Sequence, residues 1–301
     1  MKYLPLLLIF TSCSYFTRSH EAEATDPMPE LQERISLYCS LSADKYVDGY
    51  VDMSCDSAGF TALHGVVCEG LDVSIFEDPT TPGKLCRKPG CPCFVNGEDK
   101  GSKSNWSKDM EIMTQLNLAV RPNPSLVDRR IDYGNDNQWV VCDAIDAKEK
   151  IGRCQMSSKL ANNWTGLSSK GSLTSQSSDD ALFQNVGFQA HLDVISVLAS
   201  WKIYGAITGG EKKLLENQAK RQPNNGLYQA AWSRFGGRDA KEVARLLLDK
   251  FPGDRLPNES DWSTDYLYQR DEGTGDWLPG TGSDEYYGTD FLLAAWVLTT
   301  N

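Results

Sequence analysis

The sequence predicts a mainly helical protein, and three observations carry that reading. Phe183, Val186, Ala190, Val194, Val197, Trp201 and Tyr204 recur at steps of three and four, the period of a helix with a buried stripe. Shorter stretches on both sides of this run repeat the same spacing. Alternating apolar and polar residues, the mark of half-buried strands, are scarce.

The chain opens with a positive residue, Lys2, an apolar run from Leu4 to Phe10, and two small residues, Thr11 and Ser12, directly before Cys13. That order reads as a secretory signal over 1–12. Its end resembles the lipobox of bacterial lipoproteins, in which the cysteine is acylated and becomes the new N-terminus. The resemblance makes Cys13 the expected lipidation site, although Pro5 and Phe10 depart from the pattern. The alternatives are an ordinary signal peptide cut nearby and an apolar N-terminus without meaning. The expected partner is then a lipid bilayer, reached through N-terminal acyl groups. The expected location is the bacterial envelope, lipid-anchored on the outer membrane or periplasmic face, or outside the cell. No later segment reaches the roughly 18 consecutive apolar residues of a membrane span.

Residues 13–27 are polar and read as a flexible tether, followed by a single helical domain over 28–301. The first helix is expected after Pro29, carrying Leu31, Ile35, Leu37 and Tyr38. The second runs from Asp56 to Gly70, with Phe60, Leu63 and Val67 on one face and Asp56 as its cap. Residues 71–105 are loop-like. A third helix spans Trp106 to Val120, with Met110, Met113, Leu116 and Asn117 at helical spacing and Pro122 beyond its end. From Arg121 to Asp180 the pattern is mixed and ends in the Ser-rich run Ser168 to Ser178, a mobile loop by composition. The long helix follows, stopped at Gly205 or at Gly209-Gly210. Three shorter helices are expected at Glu211 to Arg221, Asn225 to Phe235 and Asp239 to Phe251. A loop from Pro252 to Gly288 holds many aromatic and acidic residues, and Thr289 to Thr299 closes the chain as an apolar helix.

The 301-residue chain has 41 acidic and 30 basic side chains and a net charge of −11. This balance argues against a nucleic-acid partner, since phosphate binding rests on Lys and Arg. Of nine cysteines, setting Cys13 aside leaves eight, an even number that suits a disulfide set in an exported chain. Cys142 and Cys154 bracket a polar loop and are the expected pair. Cys86, Cys91 and Cys93 raise a zinc reading, but Cys-Pro-Cys lacks the usual ligand gap and no histidine lies in the cluster. Disulfides are favoured there, and no metal or cofactor is expected.

Four segments carry a resemblance. Trp106-Ser-Lys-Asp-Met110 resembles the Ser-Arg-Asp-Met segment of a largely uncharacterised group of exported bacterial proteins, with Lys108 where the group tends to have Arg. Cys55-Asp56 through Cys68, Ala190-His-Leu-Asp193, and Asp254-Arg-Leu-Pro257 through Gly288-Thr-Asp-Phe291 belong to the same pattern. The helical pairs and aromatic loops of that group are similar to the α/α toroids of several glycoside hydrolases and polysaccharide lyases. The resemblance therefore implies an α/α toroid-like helical domain with long disulfide-bonded loops. Fold alone does not fix function.

The residues themselves narrow the chemistry. Only His20, His64 and His191 are available, no Gly-x-Ser-x-Gly elbow is present, and the cysteines suit disulfides rather than thiol catalysis. Carboxylate chemistry remains: glycosidic cleavage needs one protonated carboxyl and one ionised partner. Asp109 with Asp56, or Asp109 with Asp193, is the candidate catalytic pair, with His191 beside them. Helix capping is the plain alternative for Asp56 and Asp109, and a hydrogen-bonded core position for His191. Trp106 and His64 are candidate substrate-binding residues. Trp262, Arg270, Asp271 and Trp277 join them, because sugar rings stack on indoles while charged neighbours bond their hydroxyls. A loop packed under its own rings is the alternative. Three functions stay open: a carbohydrate-active hydrolase or lyase working on glycan, a non-catalytic glycan- or protein-binding lipoprotein, and a structural envelope protein.

Overall fold

The computed structural model describes residues 25–44, 46–95, 98–99, 102–168, 187–256 and 288–300. The expected signal, the expected lipidation site Cys13, the expected tether as far as residue 24 and the Ser-rich run beyond Ser168 lie outside the described residues. So do Phe183, Val186, Trp262, Arg270, Asp271 and Trp277. What is described is mainly helical.

Helix α1, Met28–Ala43, carries Pro29 in its first turn, where a missing N–H costs nothing, and buries Leu31, Ile35, Tyr38 and Ser42. Two short strands, Tyr46–Val47 (β1) and Tyr50–Val51 (β2), then pair antiparallel. Asp48 and Gly49 join them with φ of 50° and 86°, the left-handed pair that a two-residue hairpin favours. Helix α2 spans Ser57–Val67, shorter than the expected Asp56 to Gly70, because Cys68 turns extended and is tied by a disulfide to Cys39 on α1. A second small hairpin, Phe94–Val95 (β3) with Glu98–Asp99 (β4), lies in the loop before α3, Lys108–Val120. The expected face of α3 holds: Met110, Met113, Leu116 and Asn117 are all buried.

The stretch after Arg121, expected to be mixed, contains two full helices. Helix α4, Pro124–Asp136, starts where Asn123 accepts a hydrogen bond from the Leu126 N–H and Pro124 sets the first turn. It buries only Leu126, Val127, Arg130 and Gly134, so its polar composition hides its period. A single turn, Ala147–Glu149 (α5), widens through Cys154, and α6, Ser158–Leu167, is capped by Ser157.

Helix α7, Gly187–Tyr204, is the long helix, buried without a break from Ala190 to Trp201. Gly205 stops it at φ 74°, which decides between the two expected stops. A capping box of Thr208 and Glu211 opens α8, Gly209–Arg221. Asn225 caps α9, Gly226–Arg234, and Asp239 caps α10, Ala240–Lys250. Helix α11, Thr289–Thr299, is buried from Thr289 to Val297.

The helices pack in a closed circuit: α2 on α3, α3 on α7, α7 on α9, α9 on α11, and α11 back on α2. Around them α1 and α10 lie on α11, α8 on α9, and α6 on α3 and α7. Two glycines let α2 approach α3. A Cβ at Gly59 would stand 2.7 Å from Met113 Sδ, and one at Gly65 would stand 2.6 Å from Asn117 Nδ2.

Four disulfides take up all eight cysteines after Cys13: Cys39–Cys68, Cys55–Cys93, Cys86–Cys91 and Cys142–Cys154. The expected Cys142–Cys154 pair is among them. Sulfurs paired in this way hold no metal, so the cluster at Cys86, Cys91 and Cys93 is a disulfide cluster in this state.

Candidate functional site

The first turn of α11 gathers polar side chains from three elements that are distant in sequence. Gly288 enters it at φ 71°, a left-handed conformation that suits glycine. The next residue, Thr289, shares a 2.7 Å hydrogen bond between its Oγ1 and Nε2 of His64 on α2. Tyr46 on β1 closes the other side of that imidazole, its hydroxyl 3.4 Å from Nδ1. Burial pushes the Tyr46 phenol up to about 12. Asp290 then faces His191 on α7, with Oδ1 3.7 Å from Nε2.

Both members of that second pair are buried, His191 at 3% exposure and Asp290 at 9%. Burial disfavours whichever form is charged. It pushes the His191 imidazole down to about 3 and the Asp290 carboxyl up to about 7. In mildly acidic solution the site therefore holds a neutral imidazole beside a protonated carboxyl, which is a proton donor that titrates near neutrality. Asp193 lies two residues along α7 and is also buried, accepting a 3.0 Å bond from Gln189.

The other expected residues lie elsewhere. Asp56 stands before α2, exposed, and makes no side-chain capping bond; it pairs instead with Arg87 at 3.0 Å. The expected cap is thus an ion pair, because the turn Ser54–Asp56 presents its carboxylate to the Arg87 guanidinium. Arg87 also donates to Ser107 Oγ at 2.8 Å, joining the start of α2 to the start of α3. Asp109 sits half-buried in the first turn of α3.

Trp106 was expected to form a stacking wall but is buried, and its indole N–H donates to Glu111 Oε2 at 2.5 Å. Trp164 donates to the other oxygen at 2.5 Å, and Arg130 pairs with Glu111 at 2.6 Å. Arg130 lies 5.8 Å from the centroids of both indoles. The group is a closed knot joining α3, α4 and α6, with no ring face presented to a ligand.

Sequence reasoning named His64 and His191 but missed Thr289 and Asp290. Their signal was at hand in Gly288-Thr-Asp-Phe291, a segment noted for resemblance and not for chemistry. No protein family, curated protein or solved structure matches the chain.

Proposed function

We propose that this is an exported, envelope-facing protein that cleaves glycan strands, with Asp290 as its acid and His191 as the group that positions the carboxyl. The observation that carries this reading is the meeting of Asp290 with His191 at the start of α11, directly after the aromatic and acidic stretch Trp262 to Tyr287 of the sequence. Glycosidic cleavage needs a carboxyl that still holds its proton at the working pH, and a buried one titrating near 7 meets that need. Asp193, on the same helix as His191, is then the nearest of the expected carboxylates in sequence to serve as base or nucleophile. The closed circuit of helix packing supports an α/α toroid arrangement, and the four disulfides support export.

A second reading, a non-catalytic glycan-binding lipoprotein, is favoured by the burial of His64, His191 and Asp290 together. One experiment separates the two. Wild type and Asp290→Asn are incubated with peptidoglycan and a panel of soluble polysaccharides, and new reducing or unsaturated ends are counted. Cleavage by wild type that falls on the order of a hundredfold in a folded Asp290→Asn supports the acid role, whereas equal cleavage by both rejects it. Binding without cleavage that Trp262→Ala or Trp277→Ala abolishes selects the second reading. Lipid attachment is tested by labelling with a palmitate analogue: label on wild type and none on Cys13→Ala supports it, and equal labelling rejects it.

A further inference from the structure

The segment from Glu77 to Cys91 folds back on itself next to the starts of α2 and α3. Glu77 bridges to Leu85, Asp78 N–H donates to Lys84 at 2.8 Å, and Cys86 N–H donates to Phe76 at 2.8 Å. This pairing sets the Asp78 carboxylate beside the Cys86–Cys91 disulfide. One carboxylate oxygen and the two sulfurs all lie within 4.8 Å of one another. Tetrahedral zinc with metal–sulfur bonds near 2.3 Å and metal–oxygen bonds near 2.0 Å needs ligand separations of roughly 3.5 to 4 Å. Small side-chain rotations reach that range once the sulfur–sulfur bond is open.

Cys86 and Cys91 enclose Arg87, Lys88, Pro89 and Gly90, a gap of four, at the upper end of the usual spacing for a thiolate pair on zinc. The Cys-Pro-Cys spacing that argued against a metal belongs to Cys91 and Cys93, which sit in different disulfides. Asp78 is already oriented for the role, its Oδ1 accepting hydrogen bonds from the Thr80 N–H at 2.8 Å and the Thr80 hydroxyl at 2.7 Å.

Opening this disulfide also costs the fold least. The bond spans a sequence separation of 5, against 12, 29 and 38 for the others. In the chain-entropy account the shortest loop contributes least. Cys91 is half-exposed and sits at φ 59°, a left-handed conformation that costs a non-glycine residue energy. The rest of the frame does not depend on the bond. Arg87 is held by its N–H to Asn105 at 3.0 Å and by its side chain to Asp56, Ser104 and Ser107.

We propose that Cys86, Cys91 and Asp78 form a redox-gated metal site, in which a reduced Cys86–Cys91 pair and the Asp78 carboxylate take up one divalent cation of the zinc class. A dithiol reductant gives two electrons and two protons to the disulfide and leaves as its own disulfide. The two freed thiols then release their protons as they bind the cation, and water completes the tetrahedron. The cation stabilises the reduced form and keeps the turn closed when the covalent bond is absent.

The test uses the full chain under non-denaturing conditions. A dithiol is added in steps, and freed thiols are alkylated and mapped by mass spectrometry. The partly reduced chain is then titrated with cobalt(II), whose thiolate charge-transfer and ligand-field bands report tetrahedral sulfur ligation, and with zinc in competition. The expected result is that Cys86 and Cys91 are alkylated first, that one metal binds per chain, and that binding protects both from alkylation. Cys91→Ser should abolish the thiolate bands, and Asp78→Asn should weaken binding at least about tenfold. Opening of another disulfide first, unfolding on reduction of this pair, no metal uptake, or uptake unchanged in Cys91→Ser would each overturn the proposal.

Discussion

Nε2 of His191 lies 3.7 Å from Oδ1 of Asp290, and burial keeps the imidazole unprotonated and the carboxyl protonated over the same pH interval. Folding thus transfers a proton, in effect, from an imidazolium to a carboxylate. The two linkages have opposite signs. Asp290, raised from 3.8 to about 7, contributes stability that is complete below pH 4 and is lost as pH rises through 7. His191, lowered from 6.5 to about 3, contributes stability that is complete above pH 6.5 and is lost as pH falls through 3.

Between about pH 4 and 6.5 the two contributions should cancel. Urea unfolding of wild type is expected to give a nearly flat profile there. Asp290→Asn should instead gain stability as pH rises through that window, and His191→Gln should lose it. Each change is on the order of 4 kcal/mol across the full range. Parallel profiles for all three proteins would show that the pair is not neutral.

The Glu111–Arg130 pair is buried completely and shares its oxygens with two indoles. Removing one member leaves the other charge without compensation. Arg130→Met is expected to cost about 3 to 5 kcal/mol, read from the denaturant midpoint. The double change to Glu111→Leu and Arg130→Met should cost less than the sum of the single changes.

Gly65 faces Asn117, whose amide donates to the Ala62 carbonyl at 2.9 Å. An added methyl must push that amide off its acceptor or spread α2 from α3. Gly65→Ala should destabilise by about 1 to 3 kcal/mol, while Gly70→Ala, where a Cβ meets no atom within 4 Å, should cost only the strain of its left-handed φ of 82°. Equal thermal shifts for the two would contradict the close approach.

Asp109 lies half-buried in the first turn of α3, two residues past Ser107, whose hydroxyl accepts a hydrogen bond from Arg87. Asp109→Asn should alter stability by less than about 1 kcal/mol, the scale of a dipole contribution. In any glycan assay that wild type passes, it should retain activity that Asp290→Asn loses. The reverse pattern would return the acid role to Asp109.

Breaking Cys142–Cys154 by Cys142→Ala with Cys154→Ala should cost about 3 kcal/mol. The loss should appear in hydrogen exchange across the Val140 to Gln155 bridge before it reaches α7.

The sequence by itself determined the helical class, most helix limits after Gly205, and the oxidised state suggested by eight cysteines following Cys13. Period, caps and turns act over a few residues, so Thr208, Asn225 and Asp239 announce their helices without help from the rest of the chain. Helix α4 escaped because its composition is polar and only four of its residues are buried, although those four fall on one face. The site was decided by tertiary structure. Trp106 looked like an open stacking surface until Glu111, Trp164 and Arg130 closed over it. Asp290 looked like an ordinary first-turn acid until α7 set His191 against it. Burial and pairing depend on contacts between residues separated along the chain, 53 positions for Glu111 and Trp164 and 99 for His191 and Asp290, and local spacing carries no record of which distant side chain will arrive.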